Sequence, residues 1–327
     1  MKSKLVIVVV IMCLGLLILF LSGPRVQVAE DIEEVTLPSG AEDLTEYLAQ
    51  SEAEFADLVP GTEKKIVWAN DEREQTPLSI IYLHGFSATR QETAPLADQV
   101  AEQLGANLFY TRLTGHGRSG AAMGEAEAND WLNDAVEALE VGRQLGEEVV
   151  VIGTSTGGTL ATWLALQEEV EDILALVLIS PNFGPRDSMA ELLTWPWAEQ
   201  LLPLLMGAEH SADSLNPEHE RYWTRSYPTT ALFPMMALVD LVRDSDLEAI
   251  KEPTLVLYSP EDQVVDATKI EETFQRLGSE PKKLLAMEEI ENPRQHVLAG
   301  DILEPNSTSV LKEKILEFIF PIAGNIN

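Results

Sequence analysis

Basic residues are scarce in this chain of 327 residues, which holds 22 Lys and Arg against 54 Asp and Glu and has a formal net charge of −32. A surface of that sign repels phosphate backbones, so the composition argues against nucleic acid as a partner. We interpret the acidity as a soluble, salt-tolerant surface, which by itself indicates no particular chemistry.

Cysteine is almost absent as well, since Cys13 is the only one. Because it lies in an N-terminal apolar segment, the rest of the chain can form neither a disulfide nor a Cys-based metal site. No His, Glu and Asp residues have the spacing of zinc proteases, and no glycine-rich loop precedes a Lys-Ser or Lys-Thr pair. We therefore expect no metal and no cofactor.

Only one apolar run reaches the length that a membrane span needs. It covers residues 5–21, carries no charge and follows two lysines, which is near the lower limit of about 17 residues for a membrane span. We interpret residues 1–22 as an uncleaved single-pass anchor, with the acidic remainder on the extracytoplasmic side. The alternative is a signal removed after Gly23 or Ala29, which would leave a secreted or periplasmic protein.

The remaining sequence predicts one α/β domain behind a short N-terminal extension. Residues 23–62 are typical of a tether that ends in an amphipathic helix over 41–58. From residue 63, short apolar runs alternate with helical patterns, which indicates a mostly parallel sheet with helices on both faces. The predicted strands cover residues 66–68, 78–83, 108–111, 149–152, 174–179, 254–258 and 283–287. The predicted helices cover residues 91–104, 130–145, 157–168, 267–277 and 307–320.

One stretch breaks this alternation. Residues 182–251 have no strand pattern and are rich in apolar and aromatic helical sequence. Because the stretch is too long for a simple crossover, we interpret it as an inserted helical cap. The cap divides the core into a first part, 63–181, and a second part, 252–327.

The segment most indicative of chemistry is a G-x-S-x-G pentapeptide between a predicted strand and a predicted helix. Its residues are Gly153, Thr154, Ser155, Thr156 and Gly157. In that context the serine projects forward as a nucleophile, and the glycines leave room where strand and helix nearly touch. The alternative is a glycine-rich turn in which Ser155 only caps the helix.

Two further segments accompany this elbow: YLHGFS at residues 82–87 and GHGRSG at residues 115–120. Together the three resemble the α/β-hydrolase superfamily, especially its bacterial carboxylesterase and monoacylglycerol-lipase-like branch, over roughly residues 66–320. The resemblance implies that the backbone N–H groups of Phe86 and Thr156 form an oxyanion hole. A serine at the elbow also excludes the dehalogenases and epoxide hydrolases of this fold, which carry Asp there.

The family's chain order of serine, acid and histidine leaves three histidines downstream of Ser155. His210 and His219 lie in a polar part of the cap, where we expect exposed loop residues. His296 follows the last predicted strand in a segment similar to the family's G-H-x-L loop, with Gln295 where the family has Gly. The resemblance therefore makes His296 the base.

The segment after the sixth predicted strand resembles the family's G-x-x-D-x-x-V, with Ser259 in place of Gly. Asp262 takes the acid position in that match, where its carboxylate would accept from the imidazole and stabilise the imidazolium. Glu261 and Asp266 are neighbouring alternatives that we interpret as surface acids. Asp187 is the alternative if the acid follows the earlier strand, as in some relatives.

The cap bears on the substrate because it is rich in large apolar residues, most of which we expect to pack its own helices. Trp195, Trp197 and Met206 are candidates for an apolar wall over the strand ends, where ligands bind in open α/β sheets. We therefore predict a membrane-anchored carboxylic-ester hydrolase for lipid-like, monoacylglycerol-like substrates, acting through a Ser-His-Asp triad and an acyl-enzyme. The alternatives are a C–C bond hydrolase or thioesterase with the same triad, and a catalytically silent binding protein on this fold.

Overall fold

The structure is a computed structural model that describes residues 2–28, 32, 35–167, 170 and 172–324. Its strands are β1 (Lys65–Val67), β2 (Thr76–Leu83), β3 (Asn107–Tyr110), β4 (Gly146–Thr154), β5 (Ile173–Ile179), β6 (Glu209–Ser211), β7 (Ser226–Pro228), β8 (Thr254–Tyr258) and β9 (Lys282–Ala286). Seven of them form one sheet in the order β1-β3-β2-β4-β5-β8-β9. Within this sheet β1 is antiparallel to β3, and the other neighbours are parallel. The prediction of a mostly parallel sheet is confirmed, and each predicted strand overlaps an observed one.

The helices are α1 (Lys2–Leu21), α2 (Ala41–Ala53), α3 (Leu96–Leu104), α4 (Gly120–Glu125), α5 (Ala128–Leu145), α6 (Thr156–Leu164), α7 (Ala198–Met206), α8 (Pro217–Tyr222), α9 (Leu232–Asp244), α10 (Ala267–Arg276) and α11 (Thr308–Ala323). The amphipathic helix predicted over 41–58 is α2, which buries Leu44 and Leu48. It ends five residues earlier than the apolar spacing predicts.

The central strands are buried on both faces, as their near-continuous apolar sequence predicts. Along β4, Val149 and Val151 pack into one hydrophobic core, while Val150 and Ile152 pack into another. The two cores lie on opposite sides of the sheet because successive side chains of a strand point to opposite faces. Helices α5 and α6 contribute to the first core, and α3 and α11 to the second.

The insertion between β5 and β8 holds α7, α8 and α9 together with β6 and β7. The two strands pair antiparallel, with His210 opposite Tyr227. The expectation that residues 182–251 contain no strand is thus corrected; each strand has only three residues, which is too few to produce a recognisable alternation. Helix α9 buries Phe233 and Met236 in the core. The boundaries of the cap stay a prediction.

Helix α1 contains the candidate membrane span. Its window Lys4–Leu21 has a mean hydropathy of 3.1 and none of it is buried, so α1 is long and apolar enough to cross a membrane. A signal sequence passes the same test of length and composition. Ala29, one of the two alternative cleavage positions, lies outside the described residues.

Candidate active site

The nucleophile elbow lies where β4 passes directly into α6. Ser155 is the single residue between them, and it adopts φ 53° and ψ −117°. A positive φ is strained for a residue with a side chain, and such strain persists only where the surrounding structure enforces it. Here the Ser155 amide donates to the carbonyl oxygen of Ile179 at 2.9 Å, at the end of the neighbouring strand.

The two glycines of the pentapeptide are required by close packing, as the sequence indicates. A Cβ at Gly153 would lie 2.3 Å from the carbonyl oxygen of Gly157. A Cβ at Gly157 would lie 1.9 Å from the carbonyl oxygen of Leu83, where β2 ends. The start of α6 is therefore held against the strand end that leads into the YLHGFS segment.

His296 and Asp262 form a hydrogen-bonded pair. His296 Nδ1 lies 2.8 Å from Asp262 Oδ2. The other carboxylate oxygen, Oδ1, accepts from the backbone N–H groups of Val264 and Val265 at 2.7 and 2.9 Å. Asp262 is fully buried, and the two amide contacts fix its orientation and leave Oδ2 for the imidazole.

The other acids considered from the sequence lie elsewhere. Asp266 caps α10 by accepting from the amide of Thr268 at 2.9 Å. Asp187 accepts from the amide of Met189 at 2.9 Å and begins a short 3₁₀ segment. Glu261 is exposed. Of these candidates, only Asp262 has a contact with His296 among the described residues.

The two departures from the family pattern contact each other. The Ser259 hydroxyl donates to Gln295 Oε1 at 2.7 Å, which joins the loop of Asp262 to the loop of His296. Gln295 has a positive φ of 49°, the conformation that glycine accommodates without strain. Gln295, next to His296, therefore combines a strained backbone with a side-chain hydrogen bond to Ser259.

The predicted oxyanion residues lie beside the serine, and Phe86 and Thr156 line one cavity together with Ser155 and His296. The side chain of His84 has a structural role in the same segment. Its Nε2 accepts from the amide of Leu113 at 3.0 Å and its Nδ1 contacts the carbonyl oxygen of Gly85 at 2.9 Å. Burial, with the neighbouring His116, holds the pKa of His84 well below its usual range, so the ring is neutral.

Sequence reasoning missed Glu92, a buried acid under the same loop. Its Oε1 accepts from the amide of Gly85 at 2.8 Å and from the hydroxyl of Tyr82 at 2.9 Å. That hydroxyl is also 3.0 Å from Thr154 Oγ1, so Glu92 connects the oxyanion segment to the strand before the serine. Burial raises the pKa of Glu92 to about 8. No local pattern around residue 92 distinguishes it from a surface acid.

The cavity has a volume of about 360 Å³, and much of its lining comes from the cap. Its apolar lining residues are Phe86, Pro185, Met189, Ala190, Leu193, Met206, Ala212, Leu215, Trp223, Leu232, Met235, Val264, Val265, Val297 and Leu303. Met206 therefore lies where the acyl wall was predicted. Trp195 and Trp197 do not line this cavity, and the prediction that they form its wall is corrected.

Both tryptophans instead contact the end of α1. The ring of Trp195 packs edge-on against Phe20 with centroids 6.0 Å apart, and Trp197 Nε1 donates to the carbonyl oxygen of Leu19 at 3.2 Å. A Cβ at Gly23 would lie 2.1 Å from the indole nitrogen of Trp197. The prediction failed because it treated the N-terminal segment as separate from the cap.

Two cap histidines also line the cavity. His210 is exposed, as expected, and stacks on Tyr227. The expectation of exposure is wrong for His219, which lies in α8, is buried, and accepts from the amide of Leu215 at 3.1 Å. Burial, followed by the charge of Arg225, lowers the pKa of His219 to about 4. Across the described residues, no group of three or more His, Cys, Asp and Glu could hold a metal ion.

Comparisons with known proteins identify the family of the chain. The family model described as Serine aminopeptidase, S33, matches residues 75–291. The thermostable monoacylglycerol lipase of Bacillus sp. (strain H-257) is 27% identical over 251 residues, which cover 77% of this chain and 94% of that protein. A solved structure of a metagenome-derived lipolytic enzyme is 25% identical with a TM-score of 0.64, over 80% of this chain and 98% of the other.

A soluble variant of monoglyceride lipase from Saccharomyces cerevisiae has a TM-score of 0.62 at 13% identity, over 80% of this chain and 91% of the other, and so supports the fold alone. The family match extends from β2 beyond β9 and includes both Ser155 and Asp262. The chain therefore belongs to the serine aminopeptidase S33 family of α/β hydrolases, and it is similar to the monoacylglycerol lipases.

Proposed function

We propose that this hydrolase cleaves carboxylic esters through an acyl-enzyme formed on Ser155. His296 takes the proton from the Ser155 hydroxyl as the oxygen attacks the ester carbonyl, and Asp262 stabilises the resulting imidazolium. The amides of Phe86 and Thr156 donate to the oxyanion. His296 then protonates the leaving alcohol, and water repeats the sequence on the acyl-enzyme to release the acid.

The observation that carries this proposal is that His296, hydrogen-bonded to the buried Asp262, lines the cavity of a strained serine. The pair has a 2.8 Å hydrogen bond, and His296 lines the same cavity as Ser155. The buried carboxylate of Asp262 contacts the amides of Val264 and Val265 and the imidazole, so it holds the ring in one orientation. A binding protein without catalysis has no need for that arrangement.

We propose an apolar acyl chain on the substrate, as in a monoacylglycerol. Cap and loop residues give the cavity an apolar wall that includes Met206 and Met235, and methionines adapt to chains of different shape. The monoacylglycerol lipase name of the relative in Bacillus supports the same class. An aminopeptidase needs a carboxylate to bind the ammonium group of its substrate. The carboxylate in the described lining is that of Asp187, which is exposed and already caps a 3₁₀ segment.

We also propose that α1 is retained as a single-pass anchor with the catalytic domain on the extracytoplasmic side. The contacts of Trp195 and Trp197 with the end of α1 hold the cap close to the membrane surface. Leu204 and Leu205 on α7 are 82% and 80% exposed on that cap, which suits an apolar surface beside lipid. Full-length chain should stay in the membrane pellet after an alkaline carbonate wash. A mass lacking residues 1–23 would support signal cleavage instead.

Turnover of a matched ester series tests the proposed activity. Full-length protein in a non-ionic detergent should hydrolyse p-nitrophenyl and glyceryl esters from acetyl to decanoyl, with the Ser155→Ala protein as the blank. We expect the blank to be slower by roughly 10⁴-fold in kcat. Faster turnover of a thioester or a C–C substrate of the same chain length would favour those alternatives. Equal rates for the protein and its blank would contradict the proposal.

A further inference from the structure

One part of the cavity is cationic, although the protein as a whole is strongly acidic. Arg225 and Arg294 both line the cavity that holds Ser155 and His296. The chain has 22 basic residues against 54 acidic ones, so two arginines in one small cavity are not a consequence of composition. The mechanism proposed above uses neither of them.

The backbone fixes Arg225 next to the oxyanion segment. The amide of Thr224 donates to the carbonyl oxygen of Ser87 at 2.7 Å, one residue after Phe86. The carbonyl oxygen of Arg225 accepts from the amide of Ala212 at 3.1 Å. These contacts on either side hold Arg225 within the reach of a substrate whose carbonyl lies at Phe86.

The guanidinium of Arg225 is buried with few partners. Its side chain is 11% exposed, and its nearest carboxylate oxygen, on the mostly exposed Glu220, is 3.8 Å from Nη1. Nη1 is buried and has no hydrogen-bond partner among the described residues. Arg112 shows the usual solution for a buried arginine, since its Nε and Nη2 donate to Glu52 at 2.7 and 2.8 Å. Burying a charge without such a partner is unfavourable, and a ligand anion would provide Arg225 with one.

Two side chains beside Arg225 in the cavity carry no charge that could balance it. His219, which lines the same cavity, has a pKa of about 4 because of burial and the nearby arginines, so it is neutral at pH 7. Its Nδ1 is occupied by the amide of Leu215. Tyr227 has its pKa raised by burial and is neutral as well. In the described lining the two arginines therefore face a single carboxylate, that of the exposed Asp187, which already caps a 3₁₀ segment.

We infer that Arg225, with Arg294, forms a subsite for an anionic group carried by the ester substrate. This inference rests on the proposed ester hydrolysis and narrows its substrate class. A guanidinium binds a phosphate or a carboxylate through two parallel N–H···O bonds. The anion has two chemical sources, a phosphate on the glycerol of the leaving alcohol or a carboxylate at the far end of the acyl chain.

Three glyceryl esters of equal chain length separate these sources. They are 1-decanoylglycerol, 1-decanoylglycerol 3-phosphate and glyceryl hydrogen sebacate, used with full-length protein in a non-ionic detergent. We expect kcat/KM to be higher for one anionic ester than for the neutral one. Arg225→Gln should lower kcat/KM for that ester roughly tenfold to a hundredfold and change the neutral ester less than threefold, while Arg225→Lys should retain part of the preference.

Arg221→Gln is the matched control, since Arg221 is an exposed cap arginine that stacks on Tyr222 and does not line the cavity. It removes the same charge and should change all three esters alike. Equal losses on neutral and anionic esters in Arg225→Gln would overturn the subsite.

Competition on the wild-type protein does not depend on whether a variant folds. Decyl phosphate or decanoate should inhibit turnover of the neutral ester at a concentration at least tenfold lower than decanol, and equal inhibition by all three would overturn the subsite. Turnover of all three esters at the level of Ser155→Ala would contradict the proposed hydrolysis instead. In that case the melting temperature tests the subsite: decyl phosphate or decanoate should raise the melting temperature of the protein more than decanol does.

Discussion

Glu92 provides a test of the physical chemistry under the oxyanion segment. It is buried, and its pKa is raised from 4.5, the ordinary value, to about 8. Between these two pH values the folded protein holds a proton that the unfolded chain has released, so stability falls as pH rises. Each pKa unit corresponds to about 1.4 kcal/mol, so this difference in bound protons should remove about 2.5 kcal/mol from the free energy of unfolding between pH 6 and pH 9.

Glu92→Gln removes this penalty and keeps an acceptor for the amide of Gly85. The free energy of unfolding of the variant minus that of the wild type should therefore rise by about 2.5 kcal/mol from pH 6 to pH 9. Urea unfolding of full-length protein in a non-ionic detergent gives both values. The range lies above the isoelectric point of about 4.3, where net charge keeps the chain soluble.

Subtraction isolates Glu92 from other buried groups, such as Asp134, whose pKa burial raises to about 6. Glu102→Gln is the matched control, because Glu102 is exposed on α3. The free energy of unfolding of Glu102→Gln minus that of the wild type should not vary with pH. A flat difference curve for Glu92→Gln, or one that falls with pH, would refute the reasoning.

Three further predictions concern separate parts of the site. Asp262→Asn should lower kcat by roughly 10⁴-fold, whereas Glu261→Gln should stay within about twofold of the wild type. Steady-state kinetics on one ester measures both values, and a larger loss in Glu261→Gln than in Asp262→Asn would contradict the assignment of the acid. Gly157→Ala places a Cβ 1.9 Å from the carbonyl oxygen of Leu83 and should cost roughly 1–3 kcal/mol in urea unfolding; an unchanged midpoint would contradict the close packing. Ser259→Ala breaks the 2.7 Å bond to Gln295 and should cost about 1 kcal/mol, and an equally stable variant would show that the bond contributes nothing.

The parts of the fold that depend on local sequence were predictable. The central strands of the main sheet are apolar runs bounded by turn residues, and their burial on both faces follows directly from that pattern. The spacing around Ser155 also carries its own explanation, because both glycines are needed where β4 meets α6. The family resemblance ordered the acid and the base along the chain, and their 2.8 Å contact agrees with that order.

The parts that depend on distant contacts were not predictable. Trp195 and Trp197 are large apolar residues of the kind that line a substrate cavity, but both contact the end of α1 instead. His219 lies in a polar stretch, and it is buried only because α8 packs over the cavity. The burial of Glu92 results from the packing of two strand ends, and no periodicity around residue 92 indicates it.

The identity of the nucleophile is the central claim, and covalent labelling tests it most directly. A fluorophosphonate probe should form one adduct with full-length protein, and peptide mapping should place it on Ser155. The same probe should leave Ser155→Ala unlabelled, while Ser22→Ala, a change in the exposed segment after α1, should be labelled like the wild type. An adduct that persists in Ser155→Ala, or that maps to another residue of the wild type, would contradict the account.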